Sequence, residues 1–128
     1  MERILKVSQH HVWVGIEDQQ VFFGLTNYGQ GELGRIISVD LPEIVDGVEK
    51  GEPFAELESH ATVAELIAPL SGTVVAVNPD LETHPSAINE DPYSEGWLIE
   101  VKLKDRSEVQ TLMDMDEYYH FVFKPKSP

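Results

Sequence analysis

Gly72-Thr73-Val74-Val75-Ala76-Val77-Asn78-Pro79 is a glycine, then a run of small and β-branched residues, then a turn carrying a proline. Gly34-Arg35-Ile36-Ile37-Ser38-Val39 repeats the opening of that pattern and also runs on to a proline, Pro42. β-Branched side chains are stiff against a helical turn and fit a pleated surface better. Each unit therefore reads as a short strand. The two together suggest a quasi-symmetric pair of strand units in a small sandwich.

Outward from these units the same texture continues. Short apolar runs are expected to form strands over Ile4–Val7, His11–Ile16, Val21–Thr26, Gly34–Asp40, Phe54–Glu58, Thr62–Ile67, Thr73–Val77 and Trp97–Leu103. Between them stand turn formers: Glu17-Asp18-Gln19-Gln20, Pro42, Asp46-Gly47, Lys50-Gly51, Pro69, Ser71-Gly72 and Asn78-Pro79. Two helical pieces are predicted. One is a short turn around Tyr28–Leu33. The other covers about 108–123, where Ser107-Glu108-Val109-Gln110 fits a capping box and Leu112, Met115, Tyr119 and Val122 share one face. That face is expected to cover an open end of the sheet, and the tail Lys124–Pro128 to fray. The reading is one mainly β domain over 1–128.

Composition narrows the function. The 128 residues suit one core, and 41% hydrophobic with 25% charged residues is ordinary for a globular chain. Net charge is −14, so a nucleic-acid duplex or an anionic membrane would be repelled. No apolar stretch approaches the roughly 20 residues of a spanning helix, and Met1-Glu2-Arg3-Ile4 has no signal-peptide pattern. A cytoplasmic location follows as the expectation, with a monomer or weak oligomer. There is no cysteine, which removes disulfides, thiolate metal sites and thiol nucleophiles. On a strand, His10 and His11 would point to opposite faces, a poor start for a metal site. His60, His84 and His120 are scattered, and Asp114, Asp116 and Glu117 lack the spacing of a calcium loop. With no phosphate loop, serine elbow or zinc-helix motif, the chain reads as non-enzymatic.

An ordered set of local patterns carries a resemblance. It runs through His11-Val12-Trp13, Gly24-Leu25-Thr26-Asn27-Tyr28-Gly29-Gln30, Leu33-Gly34, Val39-Asp40-Leu41-Pro42, Glu58-Ser59, Ala68-Pro69-Leu70-Ser71-Gly72-Thr73-Val74 and Val77-Asn78. It closes on Ile88-Asn89-Glu90-Asp91-Pro92-Tyr93-Ser94-Glu95-Gly96-Trp97, the most specific piece. Over roughly residues 10–104 the chain resembles the glycine cleavage H-protein family. The resemblance implies a hybrid barrel-sandwich fold of the lipoyl and biotinyl type. It also implies a carrier whose lipoyl arm is joined to a lysine at the tip of a hairpin, with lipoyl-dependent enzymes and a lipoate ligase as partners. A hairpin tip is well placed for such a residue. A lysine amine on a flexible stem, presented away from the sheet, can be reached by a ligase and then by several active sites.

In this chain the matching hairpin is Phe54–Glu58, Ser59-His60-Ala61, then Thr62–Ile67, and the family's lysine falls on Ala61. A methyl group cannot bear a lipoyl arm. No lysine stands between Lys50 and Lys102, and neither His60 nor Thr62 is a credible substitute. The expected cofactor complement is therefore none, with lipoate expected if residue 61 were lysine. Glu58, Ser59, His60, Thr62 and Glu65 still resemble the surroundings of a lipoylation site. Alanine could mark natural loss or an engineered substitution, and the intact surroundings favour replacement of a once-functional lysine. Val12 stands where the family usually has an acidic residue, Glu65 where it has an aspartate, and Arg35 where an acidic residue is common. These departures leave open a lipoate-dependent system other than glycine cleavage, such as sulfur oxidation. The alternative role is an arm-less regulatory or scaffold protein that docks onto lipoyl-dependent enzymes.

Overall fold

A computed structural model describes residues 3–123. Among them, nine strands fall in two antiparallel sheets. β1 (Ile4–Val7), β2 (Val12–Glu17), β3 (Gln20–Leu25), β5 (Gly47–Val48), β8 (Gly72–Val77) and β9 (Ile99–Leu103) form the larger, in the order β1-β2-β3-β9-β8-β5. β4 (Ile36–Asp40), β6 (Pro53–Ser59) and β7 (Val63–Ile67) form the smaller, in the order β4-β6-β7. The core lies between them, with Val14, Phe23, Ile36, Leu57, Leu70 and Val101 among its members. This is the mainly β barrel-sandwich expected, and the eight predicted strands are all present to within two residues at each end.

Alternation explains β6. Ala55, Leu57 and Ser59 are buried while Glu56 and Glu58 are exposed, the period-2 pattern of a sheet with one wet face. β2 is covered on both faces. Val12 and Val14 enter the core, whereas Trp13 packs on the opposite face, where the Arg3 guanidinium lies 5.4 Å from its ring centroid and Tyr93 6.1 Å. Gly24 of β3 pairs with Trp13, and a Cβ there would overlap the indole ring.

The segment before β9 stitches the sheets together. Asn89 Oδ1 accepts from the Ile36 N–H, while its amide donates to Gln30 Oε1 and the Gly34 carbonyl. The Tyr93 hydroxyl accepts from the Asn27 N–H at 3.0 Å, and Trp13 Nε1–H donates to the Pro92 carbonyl. Asn78 donates to the carbonyls of Glu95 and Trp97. These bonds satisfy loop groups that would otherwise be left unpaired.

Three expectations need correction. The two glycine-led units do not share a role: Gly72 opens β8 as expected, with the Lys102 carbonyl where a Cβ would go, whereas Gly34, at φ 85, terminates α1 (Asn27–Leu33). β4 and β8 do lie one in each sheet, as a sandwich requires. His10 and His11 are in the turn before β2, not on it, and His11 has a left-handed φ of 70. The helix expected over about 108–123 is divided into a 3₁₀ turn, Arg106–Thr111, and α3, Met115–Val122. α2 (Ala87–Glu90), β5 and a 3₁₀ turn at Pro79–Glu82 were not expected.

The division has a clear cause. Val7 N–H donates to the Met113 carbonyl at 2.8 Å, and Met113 N–H donates back at 2.9 Å. This bridge to the edge of β1 holds residue 113 extended, so the helix must restart. Ser107 does not cap: Asp105 does, and the reciprocal capping box is formed by Asp114 and Glu117. The buried face of α3 is led by Tyr118, with Tyr119 44% exposed. The tail expected to fray lies outside the described residues.

Candidate functional site

β6 and β7 pair through Glu58↔Val63, Leu57↔Ala64, Glu56↔Glu65 and Ala55↔Leu66, and the chain reverses through residues 59–62. Ser59 builds the turn. Its N–H donates to the Thr62 carbonyl at 2.8 Å. Its hydroxyl accepts from the N–H groups of Ala61 and Thr62 at 3.2 and 3.1 Å and donates to the Thr62 carbonyl at 3.3 Å. Side-chain capping of this kind fixes a tight reversal without a glycine. The Ser59 side chain is therefore buried, while His60, Ala61 and Thr62 are exposed. His60 N–H is held by the Arg35 carbonyl at 3.3 Å.

Ser59→Ala is expected to lower stability by about 1–3 kcal/mol, since it strips acceptors from two turn amides and removes a buried hydroxyl. Urea denaturation measures it, and an unchanged midpoint would show that the turn does not depend on this oxygen.

Glu58, Ser59, His60, Ala61 and Thr62 thus gather at one bend, with Ala61 exposed upon it. Glu65 is not at the bend. It lies back along β7, opposite Glu56, which is in turn opposite Asp40. Three carboxylates therefore cross the wet face of the small sheet in one rung. Ser38 Oγ donates to Glu58 Oε1 at 3.5 Å one rung nearer the tip. Val12, in contrast, is fully buried in the core and takes no part in this surface. Arg35 contributes its backbone carbonyl beside the bend.

Among the described residues, no lysine stands at the tip. Lys50 lies beyond the opposite end of the hairpin, its ammonium donating to Thr111 Oγ1, and Lys102 is on β9. A cleft of about 350 Å³ opens near that opposite end, lined by Ser8, His10, Lys50, Pro69, Met113 and Phe121 among others. The described residues hold no cluster of metal-ligating side chains, and none of their helices is long and apolar enough to cross a membrane.

One polar constellation escapes a reading of the sequence. Tyr118 of α3 bonds both His11 Nδ1, at 2.7 Å, and Thr26 Oγ1, at 2.8 Å. Tyr118 and Thr26 are fully buried. Thr26 is readable as a helix cap from its place before Asn27, but nothing local couples it to a tyrosine 92 positions away.

Residues 5–124 match the family model described as "Glycine cleavage H-protein". The chain belongs to the glycine cleavage H-protein family. The H protein of Staphylococcus carnosus is 46% identical over 118 residues, covering 92% of this chain and 94% of the relative. That of Halalkalibacterium halodurans is 48% identical over 118 residues, covering 92% of each. A crystal structure of the H protein from Mycobacterium marinum superposes with a TM-score of 0.83 at 34% identity, covering 93% of this chain and 96% of that one. H proteins are carriers and not catalysts, so membership makes this chain a non-enzymatic member of its system. The Asn89–Trp97 stretch is the one whose side chains and backbone bond to the starts of β4 and α1 and to Trp13 of β2.

Proposed function

We propose that this chain is an H-protein-type carrier domain whose attachment residue is Ala61, so that it bears no lipoyl arm as it stands. The observation that carries the reading is the bend itself. A turn shaped by Ser59 presents residue 61 to solvent, and its side chain is a methyl group. The family's chemistry needs an amine that a ligase can acylate. The match of family register and exposed position supports Ala61 as the attachment point, with Glu58, Ser59, His60 and Thr62 around it at the bend and Glu65 farther back along β7. Lipoyl-dependent enzymes and a lipoate ligase are the partners that such a surface serves.

The test is direct. The wild-type chain, incubated with lipoate, ATP and a lipoate ligase, is expected to gain no mass, and Ala61→Lys is expected to gain one lipoyl group. The lysine variant must first show the wild-type circular dichroism spectrum. A folded Ala61→Lys chain left unmodified by ligases that modify other H proteins would overturn the assignment of position 61.

A second reading is a scaffold that occupies a lipoyl-dependent partner and transfers nothing. It is favoured by the hairpin having kept its built turn and its exposed Glu56, Glu58 and Glu65. Binding separates the two. A scaffold binds its partner as tightly as a lipoylated relative does, whereas a disarmed carrier binds more weakly and supports no turnover.

A further inference from the structure

His11, Tyr118 and Thr26 form a chain of hydrogen bonds that runs from the turn before β2, through α3, to the residue capping α1. The direction of its protons follows from what each atom must satisfy. Thr26 Oγ1 already accepts from the Gly29 N–H at 3.0 Å. In a fully buried position its own proton needs an acceptor, and the Tyr118 oxygen, at 2.8 Å, is the one within reach. Tyr118 must then send its proton to His11 Nδ1, which makes Nδ1 the unprotonated nitrogen of a neutral imidazole. Read in the opposite direction, the chain would leave the Thr26 proton with no partner.

We propose that this chain of bonds is a proton-sensitive latch on α3: protonation of His11 turns its Nδ1 from acceptor to donor, reverses the chain, orphans the Thr26 hydroxyl and loosens the helix.

The surroundings agree. Tyr118 stays a donor throughout, since burial pushes its phenol up to about 12. Burial of His11 comes first in holding its imidazole below the ordinary histidine value, and the neighbouring His10 adds to the effect. Glu32 of α1 opposes both. The other titratable rings facing His11 are Tyr28 of α1, 5.1 Å away between centroids, and Tyr118 of α3, at 5.8 Å. A histidine depressed in the folded state binds its proton more readily once the helix is released. The latch is thus complete above roughly pH 6.5 and weakens as pH falls through and below that value.

His11→Asn is the informative variant. Asparagine tolerates the left-handed φ of 70, can offer an acceptor near the place of Nδ1, and does not titrate. Amide hydrogen exchange of the full chain is measured at pH 7.5 and 5.5 and corrected for the intrinsic pH dependence of exchange. The wild type is expected to lose protection over residues 115–122 by up to about tenfold, the linkage limit for one pH unit below the free histidine value. His11→Asn is expected to change by less than about twofold between the same pH values. Equal loss in both proteins, or no loss in the wild type, overturns the proposal. Should the variant not fold, the imidazole titration of wild-type His11, followed by NMR, decides: a midpoint below about 6.5 supports the latch, and one at or above it overturns it.

Discussion

Trp13→Ala is expected to lower the free energy of unfolding by about 3–5 kcal/mol, the range for deleting a buried aromatic side chain. Trp13 has no exposed surface, yet it is not part of the central core between the sheets. It fills the opposite face of β2, under the Arg3 guanidinium and against Tyr93, and its indole N–H donates to the Pro92 carbonyl at 3.0 Å. Truncation would empty that pocket and free the segment that carries Tyr93. Trp13→Phe keeps most of the ring and loses the Pro92 bond, so it should do less harm. Urea denaturation followed by circular dichroism measures both. A loss below about 1 kcal/mol for the alanine variant would mean that the outer face contributes little, contrary to a cavity-forming truncation.

Gly24→Ala is the second large effect, expected at about 1–3 kcal/mol or more from overpacking. The added methyl would overlap the Trp13 indole, a rigid ring already packed against Arg3 and Tyr93. The two substitutions should couple. In the Trp13→Ala background the methyl of Gly24→Ala enters vacated space, so its penalty should shrink or change sign. A coupling energy of about 0.5–3 kcal/mol is expected, the range for residues in contact. Strictly additive losses in the double mutant would place the strain of Gly24→Ala elsewhere, in the backbone of β3.

The strands were legible because their signals are local. Alternation of Glu56 and Glu58 with Ala55, Leu57 and Ser59 announces one wet face, and the turn formers mark where each run stops. The bend at residues 59–62 was legible for the same reason. Glu65 lies on β7 opposite Glu56, with Asp40 across from Glu56 in turn; that Asp40 joins this rung is set by cross-strand pairing, which sequence distance does not record. The C-terminal helix was misread. The pattern of Leu112, Met115, Tyr119 and Val122 is a fair helical stripe, but two backbone bonds to Val7 outweigh it at Met113. Met115 and Val122 keep their half-buried face, but the tyrosine between them that is buried is Tyr118, with Tyr119 exposed.

The amino-acid sequence by itself determined a mainly β chain, the positions of most of its strands and the absence of a lysine between Lys50 and Lys102. Those properties reside in torsional preference, period and residue identity, which each short segment carries with it. Only the tertiary structure decided that β2 is covered on both faces, that the last helix breaks at Met113, and that His11, Tyr118 and Thr26 share one chain of hydrogen bonds. Each of these depends on which distant backbone or hydroxyl lies opposite a given group. A buried donor or acceptor takes the partner the fold brings to it, and no local pattern records that partner.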